Sequence, residues 1–254
     1  MIASRWQSGF SLLEVTISMV VIGLLAGASL GVWRPASERL DELRAESFLK
    51  VVQQAVIRFA QTSFRLPCPD TTGNGYENCG AGKTGRVPYY TLGMELGGNV
   101  ANVGNSYENL LYGVYRAANA DLAQLIERTG DIRDPETSEV VAPDINDFRQ
   151  ALMTAAASNT VATEVHVTGD GSTTGAENCA SNRVANLAFV LISAGARDRD
   201  GDNNGFDGLN ANWSANGGGS LCASSPLLRQ SANYDDIVAA VSFQSLLGTV
   251  TQTR

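Results

Sequence analysis

Gly9-Phe10-Ser11-Leu12-Leu13-Glu14-Val15 opens an apolar run that ends at Trp33. Residues 15–33 are nineteen in a row without a charged side chain. A leader, residues 1–9, precedes the run, with Arg5 as its only charge. About twenty apolar residues, each rising 1.5 Å, match the hydrocarbon thickness of a bilayer. The run therefore predicts a membrane-spanning helix. An ordinary secretory signal has a shorter apolar core and is cut after it, at a small-residue site. Here the small residue, Gly9, stands before the run, and a cut there leaves the apolar helix attached.

Glu14 is the odd residue in this segment. An acidic side chain at the centre of a membrane helix costs about 2.5–3.5 kcal/mol, and less near an end. One reading is an interfacial glutamate on a single-pass anchor. The other is a carboxylate that finds a positive partner when helices pack together. That attraction grows as the local dielectric falls, provided the geometry offsets desolvation.

Residues 9–15 resemble the cleavage and methylation motif of type IV pilins and type II secretion pseudopilins, and the likeness extends over residues 1–62. The resemblance implies that a prepilin peptidase cuts between Gly9 and Phe10 and N-methylates Phe10. It also implies that Glu14 pairs with the terminal amine of a neighbouring subunit during assembly. The implied partners are the peptidase, other pilin or pseudopilin subunits in a filament, the inner-membrane assembly machinery, and the inner membrane before assembly.

The helix is expected to continue beyond the apolar run. Pro35 fits either a local kink or a first helical turn. Leu40, Leu43, Phe48, Val51, Val52, Ala55, Val56 and Phe59 recur at three- and four-residue steps, which makes one apolar stripe. Arg39, Asp41, Glu42, Glu46, Lys50 and Arg58 lie opposite it. Such a helix buries its second half under a soluble head; a coiled-coil seam is the competing use. Gly23, Gly27 and Gly31 repeat at four-residue steps, a spacing that lets helices approach closely.

Residues 63–254 carry twelve Lys/Arg against twenty-one Asp/Glu, a net of −9. Nucleic-acid binding needs a basic footprint, so a head this acidic argues against it. With an exported head, Cys68, Cys79, Cys179 and Cys222 point to disulfides. Four cysteines allow three pairings. The preferred one is Cys68–Cys79, closing a short Gly-rich loop, with Cys179–Cys222 tying loops that flank a strand. No C-x-x-C spacing occurs and His166 is the only histidine, which argues against zinc.

After residue 62 the texture turns from helical to loop- and strand-rich. A strand is expected near 110–116, a short helix over 117–128 and a helix over 144–157. A buried strand is expected over 185–193, a long Asp/Asn/Gly loop over 196–225 and a closing strand over 237–247. One long helix followed by strands with inserted helices gives an α+β class. The expected architecture is an N-terminal helix, transmembrane then amphipathic, on a C-terminal antiparallel-sheet head with long disulfide-tied loops. The divisions are a leader (1–9), a spine helix (10–62) and a periplasmic or extracellular head (63–254). Residues 187–207 and Tyr234-Asp235-Asp236-Ile237-Val238 are similar to the C-terminal part of pseudopilins, where a strand leads into an acidic loop and a closing segment.

Asp200-Gly201-Asp202-Asn203-Asn204-Gly205 fits the opening of a calcium loop, D-x-[DN]-x-[DN]-G. Position twelve is Ala211, which supplies no bidentate carboxylate; Asp198 is the candidate to compensate. The candidate ligands are Asp198, Asp200, Asp202, Asn204 and Asp207. A solvated turn cluster is the alternative. Resemblance to the major pseudopilin, which holds calcium in its equivalent loop, favours the ion; no organic cofactor is expected. Asp70, Asn74 and Glu77 form a fainter version of the pattern.

Enzymatic signatures are weak. Gly82-Lys83-Thr84 resembles the end of a phosphate loop, but the glycine required five residues earlier is Glu77. No G-x-S-x-G surrounds a serine. His166, in Glu164-Val165-His166-Val167, reads as an exposed strand position, and Trp213 as packing. The sequence therefore reads as a non-enzymatic filament subunit, pilus or pseudopilus, in a minor tip or priming role. A membrane-anchored adhesin head using the same export route is the alternative.

Overall fold

The computed structural model describes residues 12–80, 82–94, 110–128, 143–158, 163–169, 178–195, 198–199, 201, 205–213 and 217–251. Within its first helix, the side chains at 26, 28–39 and 41 are outside the description. The elements in chain order are α1 (Leu12–Ser63), β1 (Thr84–Arg86), β2 (Leu110–Val114), β3 (Arg116–Ala117), β4 (Ala120–Asp121), α2 (Ile145–Ala157), β5 (His166–Thr168), β6 (Arg183–Val184), β7 (Leu187–Ser193), a 3-10 helix (Gly208–Asn212), β8 (Cys222–Ala223), β9 (Ile237–Ser242) and α3 (Phe243–Thr251). The class is α+β, with an N-terminal helix, an antiparallel sheet and two disulfides. The chain divides into two compact units, Met1–Leu43 and Arg44–Arg254.

The described part of the first unit is helix. Leu12, Leu13, Ile17, Met19, Val20, Ile22, Leu24 and Leu25 are all exposed on it. Its hydroxyls are satisfied locally: Thr16 Oγ1 donates to the Leu13 carbonyl at 2.8 Å and Ser18 Oγ to the Glu14 carbonyl at 2.7 Å. These bonds remove the polar penalty that hydroxyls carry in an apolar setting. Among the described residues, no helix is long and apolar enough to cross a membrane. The run that raised that expectation includes positions 26 and 28–33, whose side chains are outside the description.

In the second unit, the last five turns of α1 bury Phe48, Leu49, Val52, Val56, Ile57 and Ala60 in the same core as the sheet. The buried stripe is rotated from the one read in the sequence. Val51 is more than half exposed, while Leu49 and Ile57 are buried. Phe64 ends the helix in the left-handed region, φ 52°, with its N–H on the Ala60 carbonyl at 3.1 Å.

The main sheet has the order β1-β2-β7-β9, with every pair antiparallel. β7, Leu-Ala-Phe-Val-Leu-Ile-Ser, buries all seven residues, the signature of a strand covered on both faces. Phe148 and Leu152 of α2 and Phe243, Leu246 and Val250 of α3 join that core, with α2 packed on α3. Fully burying each such side chain contributes about 1.5–3 kcal/mol. α2 begins where a capping box is built: Asp144 accepts from the N–H groups of Asn146 and Asp147, and Asp147 reaches back to the Asp144 N–H.

Three expectations are corrected. Residues 117–128 hold no helix: β3 and β4 form a tight hairpin there, with Arg116 Nε bonded to both Asp121 carboxylate oxygens at 3.2 and 3.0 Å. The closing strand stops at Ser242 and turns into α3, because Phe243, Leu246 and Val250 fall at helical spacing and face the core. A second sheet, β6-β5-β8, contains a parallel pair, β5 with β8, and buries His166 instead of exposing it.

Candidate functional site

Gly9 and Phe10 lie outside the described residues. Glu14 lies on α1. Its side chain is exposed, and no described residue forms an ion pair with it.

Of the acidic-loop residues, Asp200, Asp202 and Asn204 lie outside the described residues. Asp198 is half-buried and accepts from the Gly201 N–H at 2.7 Å. Asp207 is drawn inward, fully buried, and meets two residues that the loop pattern does not contain. One oxygen each from Asp207, Asp235 and Asp236 lies within 4.8 Å of the others, and all three residues are buried.

Backbone and side-chain donors lace these carboxylates together. Asp207 accepts from the N–H of Arg199 at 2.8 Å and of Asp235 at 2.7 Å. Its own N–H donates to Asp236 Oδ2 at 2.9 Å, which Asn210 Nδ2 also reaches at 3.0 Å. Gly195 N–H donates to Asp236 Oδ1 at 3.1 Å. Asp235 Oδ2 accepts from Arg199 Nε at 3.1 Å. Asp235 Oδ1 is buried with no hydrogen-bond partner.

Among the described residues, the Arg199 guanidinium pairs with Asp235 at 3.1 Å. Burial pushes Asp236 up to about 7; the Asp207 charge adds to this, and the hydrogen bonds from Asn210, Asp207 and Gly195 oppose it. Burial likewise pushes Asp235 up to about 6, with the neighbouring Asp207 carboxylate adding and Arg199 opposing. The donor set is all oxygen, the set that suits a hard divalent cation. A cation there would give the buried Asp235 Oδ1 the partner it lacks. In the sequence, Asp235 and Asp236 stood only in the segment similar to the C-terminal part of pseudopilins, with nothing to join them to Asp207.

The fainter acidic pattern serves the backbone instead. Asp70 is buried, and its carboxylate accepts from the N–H groups of Thr72, Gly73 and Gly75 at 2.9, 2.8 and 2.7 Å. Despite the pull of burial in the other direction, these bonds leave it below the usual carboxylate range. Glu77 is held by Arg65 at 2.7 and 2.6 Å and by the Cys68 N–H at 3.0 Å. Lys83 of the phosphate-loop lookalike is bonded to Glu164 and to the Thr163 carbonyl. Trp213 packs on Gly113, where a Cβ would lie 2.6 Å from the ring.

Disulfides join Cys68 to Cys79 and Cys179 to Cys222. His166 lies beside the second of these. Its Nδ1–H donates to the Glu164 carbonyl at 2.7 Å. Burial, with Arg183 nearby, holds the imidazole below its ordinary range despite that bond.

Residues 7–30 match the family model described as the prokaryotic N-terminal methylation motif. That motif is the signature of type IV pilin and pseudopilin precursors. It implies processing by prepilin peptidase, membrane anchoring and assembly with other pilins. It points to a structural protein rather than an enzyme. No curated protein and no solved structure matches the chain.

Proposed function

We propose that this chain is a non-enzymatic structural subunit of a type IV pilus or pseudopilus, in a minor tip or priming role. The observation that carries the reading is the methylation motif at residues 7–30. Prepilin peptidase removes residues 1–9 and N-methylates Phe10. The spine helix, residues 10–62, spans the inner membrane by its apolar run until assembly. Residues 63–254 form the exported head.

On entry into the filament, apolar helix–helix packing replaces lipid contact. The exposed leucines, isoleucines and valines between residues 12 and 25 support this, since apolar patches of this kind mark membrane or protein contacts. Glu14 then pairs with the methylated amine of a neighbouring subunit, in an environment where the low dielectric strengthens the attraction. Small residues at 23 and 27 leave open space around the helix, with no atom within 4 Å of a built Cβ.

Calcium is the cation proposed for the acidic centre, held by Asp207, Asp235 and Asp236. Its role is to fix the segment around residue 207 to the start of β9. The oxygen-only donors and the orphaned Asp235 Oδ1 support this assignment.

Glu14→Ala tests the assembly step. The variant is expected to be processed and retained in the membrane but missing from sheared filaments. Unchanged recovery in sheared filaments contradicts the assembly role.

A further inference from the structure

The loop closed by the Cys68–Cys79 disulfide carries an aromatic face next to a cation. Tyr76 is 57% exposed, and its ring stacks on Tyr90 with centroids 5.1 Å apart and planes inclined by 30°. Tyr90 in turn leans on Tyr89, with centroids 4.6 Å apart. Tyr76 is thus held from one side and open to solvent on the other. Arg86 is half-buried, and among the described residues its guanidinium forms no hydrogen bond or ion pair.

The backbone brings the rings and the cation together. Gly73 and Gly75 have φ of 78° and 80°, a region that glycine adopts freely. A Cβ on Gly73 would lie 2.5 Å from Arg86 Nη1, and one on Gly75 would lie 2.6 Å from the Tyr90 ring. Two residues of chain span at most about 7 Å, so Arg86 and Tyr90 flank one short stretch of loop. We propose that Tyr76, Tyr90 and Arg86 form a binding surface for an acidic saccharide, a pyranose ring that bears a carboxylate.

Each part of that ligand has its counterpart. The C–H face of a pyranose carries partial positive charge and stacks on the negative face of an aromatic ring. A guanidinium grips a carboxylate through two parallel N–H bonds. Asn74 is exposed; its Oδ1 accepts from the Tyr76 N–H at 2.9 Å, which leaves its NH2 group for a sugar hydroxyl. The loop's own carboxylates do not compete for Arg86. Asp70 is taken up by the N–H groups of Thr72, Gly73 and Gly75, and Glu77 by Arg65. These bonds, the disulfide and the Tyr90 N–H on the Gly75 carbonyl at 2.8 Å build the surface in advance. A preformed surface avoids the ordering cost that weakens binding. An acidic peptide would use the cation but not the stacked rings, so the rings favour the sugar.

The test uses the full chain in deuterated detergent micelles and saturation-transfer NMR, with trigalacturonate and sialyllactose as probes. At least one is expected to bind, more weakly at high salt. It is expected to bind roughly tenfold tighter than its neutral methyl ester, which lacks the charged acceptor. Tyr76→Ala is expected to weaken binding by roughly tenfold, and Tyr76→Phe, which keeps the ring, to leave it unchanged. Arg86→Gln is expected to bind acid and ester alike. Neither side chain belongs to the hydrophobic core, so the variants are expected to keep the parent's melting temperature. Binding of neither probe by the parent overturns the proposal, as does equal affinity in Tyr76→Ala or for the methyl ester. Triglutamate bound as tightly as the sugars overturns it too, since the surface would then read charge alone.

Discussion

A Cβ built on Gly195 lies 1.7 Å from Asp235 Oδ1. The second residue after β7 and the second residue before β9 therefore share one space, and only glycine lets the carboxylate occupy it. Gly195 also donates its N–H to Asp236, so the same backbone both admits and holds the acidic centre.

Gly195→Ala is therefore expected to destabilise the head by about 1–3 kcal/mol, the usual cost of overpacking. For a head of this size that lowers the melting temperature by about 2–12 °C. Calorimetry on Gly195→Ala checks this; an unchanged melting temperature would mean that Asp235 has another place to go.

The acidic centre sets a pH dependence for the metal-free chain. Asp235 and Asp236 are raised to about 6 and about 7, above the ordinary value near 4 that an unfolded carboxylate takes. Between about pH 4 and pH 7 the folded chain thus binds more protons than the unfolded chain, and stability falls as pH rises through that window. Urea unfolding in EDTA at pH 5 and pH 7.5 is expected to give the higher midpoint at pH 5. Asp236→Asn is expected to flatten the difference.

Calcium is expected to stabilise the head most at neutral pH, where the carboxylates are ready to ionise. At free calcium a hundredfold above the dissociation constant the gain is about 2.7 kcal/mol. Asp235→Asn keeps an acceptor for Arg199 but removes the charge, and is expected to lose this response without losing metal-free stability. Equal melting temperatures in EDTA and in calcium for the parent chain would remove calcium from the account.

The two disulfides differ in the length they close. Cys179–Cys222 spans 43 residues and Cys68–Cys79 spans 11. Loop-closure entropy assigns about 4 kcal/mol to the first and about 3 kcal/mol to the second. Replacing each pair by serines and measuring urea midpoints is expected to show the larger loss for Cys179/Cys222. The reverse order would place the main effect in local contacts such as the Arg65–Glu77 clamp.

What the sequence made legible was local. The motif around Glu14, the capped helix after Asp144 and the continuously apolar strand ending at Ser193 each declare themselves through short-range pattern. Residues 117–128 misled because an alanine-rich stretch favours helix in isolation, whereas the Arg116–Asp121 pair and the core claim it as a hairpin. The strand through Ile237 was read too far because Phe243, Leu246 and Leu247 continue an apolar run whose period changes from two to nearly four. The acidic centre was half legible. Asp207 belongs to a recognisable loop, but its meeting with Asp235 and Asp236 is made by long-range folding. His166 beside Cys222 is the same kind of fact: 56 positions separate them in the chain, and a parallel strand pair joins them.

The central claim is that this chain is cut, methylated and built into a filament. The most direct measurement is the intact mass and N-terminal sequence of the chain recovered from sheared filaments. The account predicts a chain that begins at N-methylated Phe10 and lacks residues 1–9. A chain that retains residues 1–9, or one found in membranes and never in the sheared fraction, would contradict it.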